Sequence, residues 1–325
     1  MSERWQPVCP APTDLVTPRP IDPKGVVGPT TGQARGPRWR RTSPRLYVPA
    51  SVDDEVVEQR ILEQAQRLPD NGAVTGWAAL RLHGGGFFDG LDSGDLHRLP
   101  VPLAVPRSTR VRFDPAFIVV RSDVPSDERA FRHGIRCTTV VRALFDEVRR
   151  RDELRAAVAA VDMVLAARLA KRRELLDYAD GCPGRPGSRL FANAVALSVD
   201  RSRSPKESEL RLIWILDAGL PSPRCNWPVA DESGRFIGKP DLLCDELGVY
   251  GEFDGADHRG RERHRRDVTR EDLFRRTGLE GFTVVGAEIE DTSLVIDRMR
   301  AAVERAGRSG VPKTWMVRRD PGPLW

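Results

Sequence analysis

Three carboxylates and a histidine crowd one short stretch of this chain. Lys239-Pro240-Asp241 is followed, after ten residues, by Glu252-Phe253-Asp254 and then Gly255-Ala256-Asp257-His258. Between the acids stands Asp245-Glu246-Leu247-Gly248, with Asp first and Gly fourth, as a type I turn prefers. A hairpin turning on Glu246 and Leu247 pairs Asp245 with Gly248, Leu243 with Tyr250 and Asp241 with Glu252. Side chains alternate along a strand, so Asp241, Glu252 and Asp254 share one face. Directly opposed residues have Cβ atoms about 4.5–5.5 Å apart. Two like charges that close repel unless something positive sits between them, and a hard divalent cation prefers oxygen ligands. Held by Asp241 and Glu252, such a cation can polarise a phosphodiester oxygen and lower the pKa of bound water. The same residues also suit a buried acid–arginine network with no chemistry.

The flanking residues extend the cluster. Ser204-Pro205-Lys206-Glu207 places serine at an N-cap, proline at the first helical position and glutamate at the third. Glu207 is therefore either a capping-box residue or, sharing a face with Leu210, Arg211 and Trp214, a carboxylate aimed into the fold. His258 can activate a water, bind a metal through water or donate to a leaving oxygen, or it can be an ordinary loop histidine. A basic helix is expected over roughly 261–277, carrying Arg261, Arg263, Arg265, Arg266 and Arg270. Those arginines suit phosphate contacts, although Asp267, Glu271 and Asp272 also allow internal ion pairs.

Composition bounds what can surround this site. The 325 residues are 40% hydrophobic and 30% charged, with net charge +5. No run of about 18 apolar residues exists, so no membrane span is expected. Five scattered cysteines, never in a C-x-x-C pair, argue against a disulfide framework or zinc site and suit a reducing cytoplasm. Only five residues are lysine; nearly all positive charge is arginine, which suits bidentate phosphate recognition.

Residues 1–44, rich in Pro, Gly, Arg and Thr without a hydrophobic period, read as a disordered basic leader: an inert tail or a nucleic-acid arm. A mixed α+β domain is expected over 45–170, with a helix over 56–68, strands at Val101–Val105, Val111–Phe113 and Phe117–Arg121, and apolar helix 152–169. A helical connector occupies 171–200. In the domain over 201–307, a helix to about Ala218 precedes strands at Phe236–Cys244, Val249–Asp254 and Phe282–Val285, and a last helix runs from about Ser293 to Ala306. That order predicts an α/β sandwich around a small sheet. Residues 308–325 read as a C-terminal tail.

Pro240-Asp241 … Glu252-x-Asp254 resembles the core motif of the PD-(D/E)XK nuclease superfamily. The longer string Ser204-Pro205-x-Glu207 … Gly219-Leu220-Pro221-x-Pro223 … Asp241 … Glu252-Phe253-Asp254-Gly255-x-x-His258 … Arg266-Asp267-x-x-Arg270 … Gly278 is similar to an uncharacterised family related to very-short-patch-repair endonucleases. The resemblance covers roughly residues 200–300. It implies a restriction-endonuclease-like α/β/α domain, a Mg²⁺ (or Mn²⁺) cofactor and a DNA substrate. It places metal binding on Asp241 and Glu252, a supporting acid on Glu207, and further catalytic positions on Asp254 and His258. Where the superfamily motif has lysine, this chain has Asp254; Lys239, on the strand face of Asp241, can supply a positive charge from another direction. Leu46-Tyr47-Val48-Pro49 and Val74-Thr75-Gly76-Trp77-Ala78-Ala79-Leu80-x-Leu82-His83-Gly84 resemble the body of AbiEi-type antitoxins, over about 45–168. The expected protein is a cytoplasmic metal-dependent DNA endonuclease, with a partner protein or a homodimer possible. The alternative is a non-catalytic DNA-binding or toxin–antitoxin regulatory protein that keeps the nuclease fold.

Overall fold

A computed structural model describes residues 6–92, 97–112, 114–255 and 270–318. The chain forms two compact units. Among the described residues, one comprises those up to Glu153 with Ala167–Asn193; the other comprises Leu154–Ala166 with those from Ala194 onward. Both are mixed α/β.

In the first unit, strands β1 (Arg19–Pro20), β2 (Trp39–Ser43) and β3 (Leu46–Pro49) form a small sheet in the order β1-β3-β2. Helix α1 (Val57–Ala65) leads into β4 (Ala73–Val74) and helix α2 (Gly76–Leu82). Strands β5 (Val101–Val105), β6 (Phe117–Arg121), β7 (Arg129–Arg132) and β8 (Ile135–Thr138) complete a five-stranded sheet, β6-β5-β4-β8-β7. The apolar runs at 101–105 and 117–121 form strands at the expected positions. Residues 111–112 form none, and Phe113 lies outside the described residues. Helix α3 (Val140–Arg151) follows.

The described part of the leader is ordered, contrary to expectation. Main-chain and side-chain hydrogen bonds tie it down: Cys9 N donates to Gly84 O at 2.9 Å, Asp22 N to Pro29 O at 2.9 Å, and the Gln59 side-chain amide holds both the N–H and the carbonyl of Val16 at 2.9 Å. A Cβ at Gly28 would sit 2.0 Å from Pro20 O, so the backbone passes where only glycine fits.

The division between units does not fall at residue 170. Helix α4 (Leu154–Ala166) belongs to the second unit, while α5 (Arg172–Asp180) and the start of α6 (Ser188–Leu197) belong to the first. A buried polar cluster explains this. Asp162, fully buried, accepts from Val199 N (2.6 Å), Ser208 Oγ (2.7 Å) and Arg211 Nη2 (2.8 Å). Ser208 and Arg211 lie on helix α7 (Pro205–Leu212), which continues as a π-turn to Asp217. A buried carboxylate must be paired to be tolerated, and its partners lie in the second unit.

The second unit is built on a sheet ordered β14-β13-β12-β9: β9 (Arg224–Cys225), β12 (Leu242–Cys244), β13 (Val249–Asp254) and β14 (Glu280–Val285). Strands β13 and β14 are parallel; the other pairs are antiparallel. A second sheet, β11-β10-β15, combines β10 (Val229–Asp231), β11 (Phe236–Gly238) and β15 (Trp315–Val317). Two expectations change here. Phe236–Cys244 is not one strand: it breaks at Lys239-Pro240-Asp241, because proline has no N–H for a ladder. The expected tail supplies β15.

One face of the main sheet packs Leu242, Val249, Phe282 and Val284 against Leu210 and Trp214 of the α7 segment and Val295 and Met299 of helix α8 (Thr292–Arg308). The other packs Leu243 and Tyr250 against Val229, Phe274 and Trp315. Two rings lie over glycines in the neighbouring strand: Phe282 beside its register partner Gly251, and Tyr250 beside Gly281. A Cβ at Gly251 would meet the Phe282 ring at 2.4 Å, and that ring stacks on Trp214 at 5.9 Å. Gly251→Ala is therefore expected to cost about 1–3 kcal/mol by overpacking, read as a lowered urea midpoint. A midpoint equal to wild type would show that the ring yields freely.

Candidate active site

The hairpin turning on Glu246 and Leu247 forms in the expected register. Leu242 pairs with Gly251, Leu243 with Tyr250 and Cys244 with Val249. Gly248 takes a positive φ of 64° at the end of the turn, a conformation with little cost for glycine. One further step would bring Asp241 opposite Glu252, but the paired register stops at Leu242 and Gly251. There the ladder has ended, and the Asp241 side chain replaces it: Oδ2 accepts from Phe253 N–H at 2.8 Å. By strand alternation Glu252 and Asp254 lie on the face of Tyr250.

Glu207 arrives from the opposite direction, at the start of α7. Ser204 caps that helix, its Oγ accepting from Glu207 N at 3.1 Å, and Pro205 opens the first turn. The carboxylate does not close a full capping box. Its Oε2 accepts from Arg203 N (2.8 Å) and from Asn226 Nδ2 (2.7 Å). Burial and the neighbouring Asp241 carboxylate push Glu207 up to about 8. Asp241 is pushed up to about 6 by burial; the Phe253 N–H, Arg203 and Arg270 pull it down, and Asp254 adds to the rise. Two acids that each resist ionisation beside the other mark a place where charge is incompletely compensated.

Glu252 has a cationic partner already. Arg270, expected as a phosphate contact, donates from Nη2 to Glu252 Oε2 at 2.6 Å, and the carboxylate side chain is 15% exposed. Lys239 stands on the other flank. Its ammonium is pushed below the usual lysine range by burial, Arg201 and Arg203, and is partly restored by Glu207. His258, Arg261, Arg263, Arg265 and Arg266 lie outside the described residues.

Asn226 is the residue that pattern reading missed. It is fully buried and left-handed, with φ 53°. Its N–H donates to Asp241 O at 3.1 Å, its Nδ2 to Arg201 O at 2.9 Å as well as to Glu207, and its carbonyl accepts from Arg201 Nη2 at 3.1 Å. It fixes the two acids relative to each other. Its Oδ1 is buried without a hydrogen-bond partner among the described residues. Asparagine is one of the few non-glycine residues that tolerate this backbone conformation, a weak local signal. Its contacts 19 and 25 residues away leave none.

Among the described residues, no three His, Cys, Asp or Glu side chains are grouped as a ready metal cage. A Mg²⁺ site does not require one, since that ion keeps several waters and commonly uses one or two carboxylates plus substrate phosphates. Among the described residues no helix is long and apolar enough to cross a membrane. No family model, curated protein or solved structure matches the chain.

Proposed function

We propose that the second unit is a metal-dependent DNA endonuclease of restriction-endonuclease-like architecture. The observation that carries this reading is the convergence of Glu207 on Asp241 at the end of a hairpin whose paired register stops one residue short of Asp241 and Glu252. The donor set fits a hard divalent cation: carboxylate oxygens only, with the orphaned Asn226 Oδ1 held beside them. Asp241 and Glu252 would hold Mg²⁺ or Mn²⁺, with Glu207 in support. The ion would supply Lewis acidity toward a phosphodiester oxygen and a more acidic water.

The chain's own residues have distinct tasks. Phe253 N–H fixes the Asp241 carboxylate, and Asn226 fixes Glu207. Glu207, held up to about 8, keeps its proton near neutral pH until charge in the site is compensated. Lys239, which interacts electrostatically with Glu207, supplies from another direction the positive charge that Asp254 cannot. Arg270 must exchange Glu252 for a phosphate when substrate enters, which couples backbone binding to release of the acid. Asp254 adds negative charge beside Asp241, and His258 is assigned to water or proton handling.

A second reading has an observation of its own. The 2.6 Å Arg270–Glu252 pair already neutralises one metal ligand, as a non-catalytic DNA-binding or toxin–antitoxin regulatory protein would require. Incubating the purified chain with supercoiled plasmid and Mg²⁺ or Mn²⁺ separates the two. The nuclease yields nicked or linear DNA, stopped by EDTA and lost in Glu252→Gln. Intact plasmid, with DNA binding that survives both EDTA and Glu252→Gln, sinks the nuclease reading.

A further inference from the structure

The first unit carries a cavity of about 340 Å³ between the β2–β3 hairpin and the β5–β6 connection, lined by Arg41, Thr42, Arg67, Arg112 and Asp114 among others. Its volume lies at the low end of the range of about 300–1,000 Å³ typical of ligand pockets. Three guanidiniums face one carboxylate. Asp114 is already engaged, accepting from Arg67 Nη2 at 2.7 Å and from Ala116 N at 3.0 Å. Arg67 is pinned further by the Phe117 ring, 4.9 Å from its guanidinium carbon, and its Nε is buried with no partner among the described residues. Arg41 directs Nε to Ser43 O at 3.3 Å. Neither Arg41 nor Arg112 joins an ion pair among the described residues.

The backbone here is built to aim these side chains. Arg41 pairs with Tyr47 and Ser43 with Leu46, so Thr42 has no partner and forms a bulge. Bulges bend a strand and re-aim its side chains, often beside functional sites. The hairpin tip then places Arg45 at φ 68°, unusual for a residue other than glycine, and leaves it exposed.

We propose that this cavity binds a phosphate group, delivered as the backbone of a nucleic acid. Arg41 and Arg112 supply guanidinium donors not engaged in ion pairs among the described residues, and Arg67 a fixed third, in the geometry that guanidinium offers to phosphate oxygens. Guanidinium contacts to phosphate fix position on a nucleic acid without reading its sequence. Exposed Arg45, Arg107 and Arg110 on the same hairpin and connection continue the positive charge beyond one phosphate, which favours a polyanion over a free phosphate. The site is independent of the nuclease reading.

The test is equilibrium binding of the full chain to a DNA duplex in EDTA, over a series of salt concentrations. Arg41→Gln with Arg112→Gln is expected to weaken binding about tenfold and to make the log–log salt slope shallower by about one, for the one phosphate that the cavity neutralises. Arg41→Lys with Arg112→Lys keeps the slope while weakening binding. The charge-matched control, Arg173→Gln with Arg308→Gln, leaves affinity and slope near wild type. Wild-type affinity and slope in the Gln pair overturn the proposal, as does an equal loss in the control. Inorganic phosphate that raises Tm of the wild type but not of the Gln pair, with DNA binding unaffected by that pair, shows a free-phosphate site and also overturns it.

Discussion

Asp241→Asn is expected to abolish metal-dependent cleavage, by about a thousandfold at least, and at the same time to stabilise the metal-free protein at pH 7–8. The loss follows from removing a charged metal ligand whose ion contributes several kcal/mol to the transition state, each 1.36 kcal/mol being tenfold in rate. The gain follows from the environment of the carboxyl. Asp241 is held up to about 6 in the fold, above the ordinary aspartate value, so ionising it at neutral pH costs the folded state free energy that the unfolded chain does not lose. Asparagine keeps an oxygen for Phe253 N–H and removes the negative charge that faces Glu207. About 1–2 kcal/mol is expected after allowing for partial exposure, seen as a raised denaturation midpoint. Opposite signs in activity and stability are the signature of a functional acid. If Asp241→Asn lowers both, Asp241 is a structural support; if cleavage persists, the metal is held elsewhere.

The hairpin was legible because its determinants are local. Asp245 and Gly248 set the turn, alternation set the faces, and together they set the register that Leu243 and Tyr250 adopt. The cap at Ser204 was legible for the same reason. What escaped depends on distant partners. Helix α4 reads as a neighbour of the segments before it, yet Asp162 finds Arg211 across 49 residues. Residues 6–44 have no hydrophobic period to read, because they are held by main-chain hydrogen bonds, the Gln59 side-chain amide and close glycine packing, none of which leaves a pattern. Pro240 is a local strand-breaking signal. It marks the break between β11 and β12, and that break lets Asp241 turn its carboxylate onto the backbone of β13. The site thus combines a legible register with an illegible support, Asn226, whose role lies entirely in contacts across the sheet end.

The metal-free wild type should lose stability as pH rises from about 4 to about 8, and saturating Mg²⁺ should offset most of that loss. Glu207 releases its proton at about 8 in the fold and near 4.5 in the unfolded chain. Between those values the folded state holds the extra proton, so stability falls with rising pH; the contribution is complete below 4.5 and gone above about 8. Asp241 acts in the same direction between 3.8 and about 6. A cation that needs both carboxylates ionised binds better as pH rises, so its stabilisation grows over the range in which the protein alone weakens. At a hundred times its dissociation constant it adds about 2.7 kcal/mol. Thermal melts in EDTA and in Mg²⁺ at each half pH unit give both curves, and they should diverge steadily above pH 6. Glu207→Gln should flatten the EDTA curve between pH 6 and 8, because no proton remains to be lost there. A Mg²⁺ shift that is the same at every pH, or unchanged in Asp241→Asn, would mean that the ion binds away from these acids. A flat EDTA curve in the wild type would mean that the arginines around the site already balance them, which is the state a purely DNA-binding protein needs.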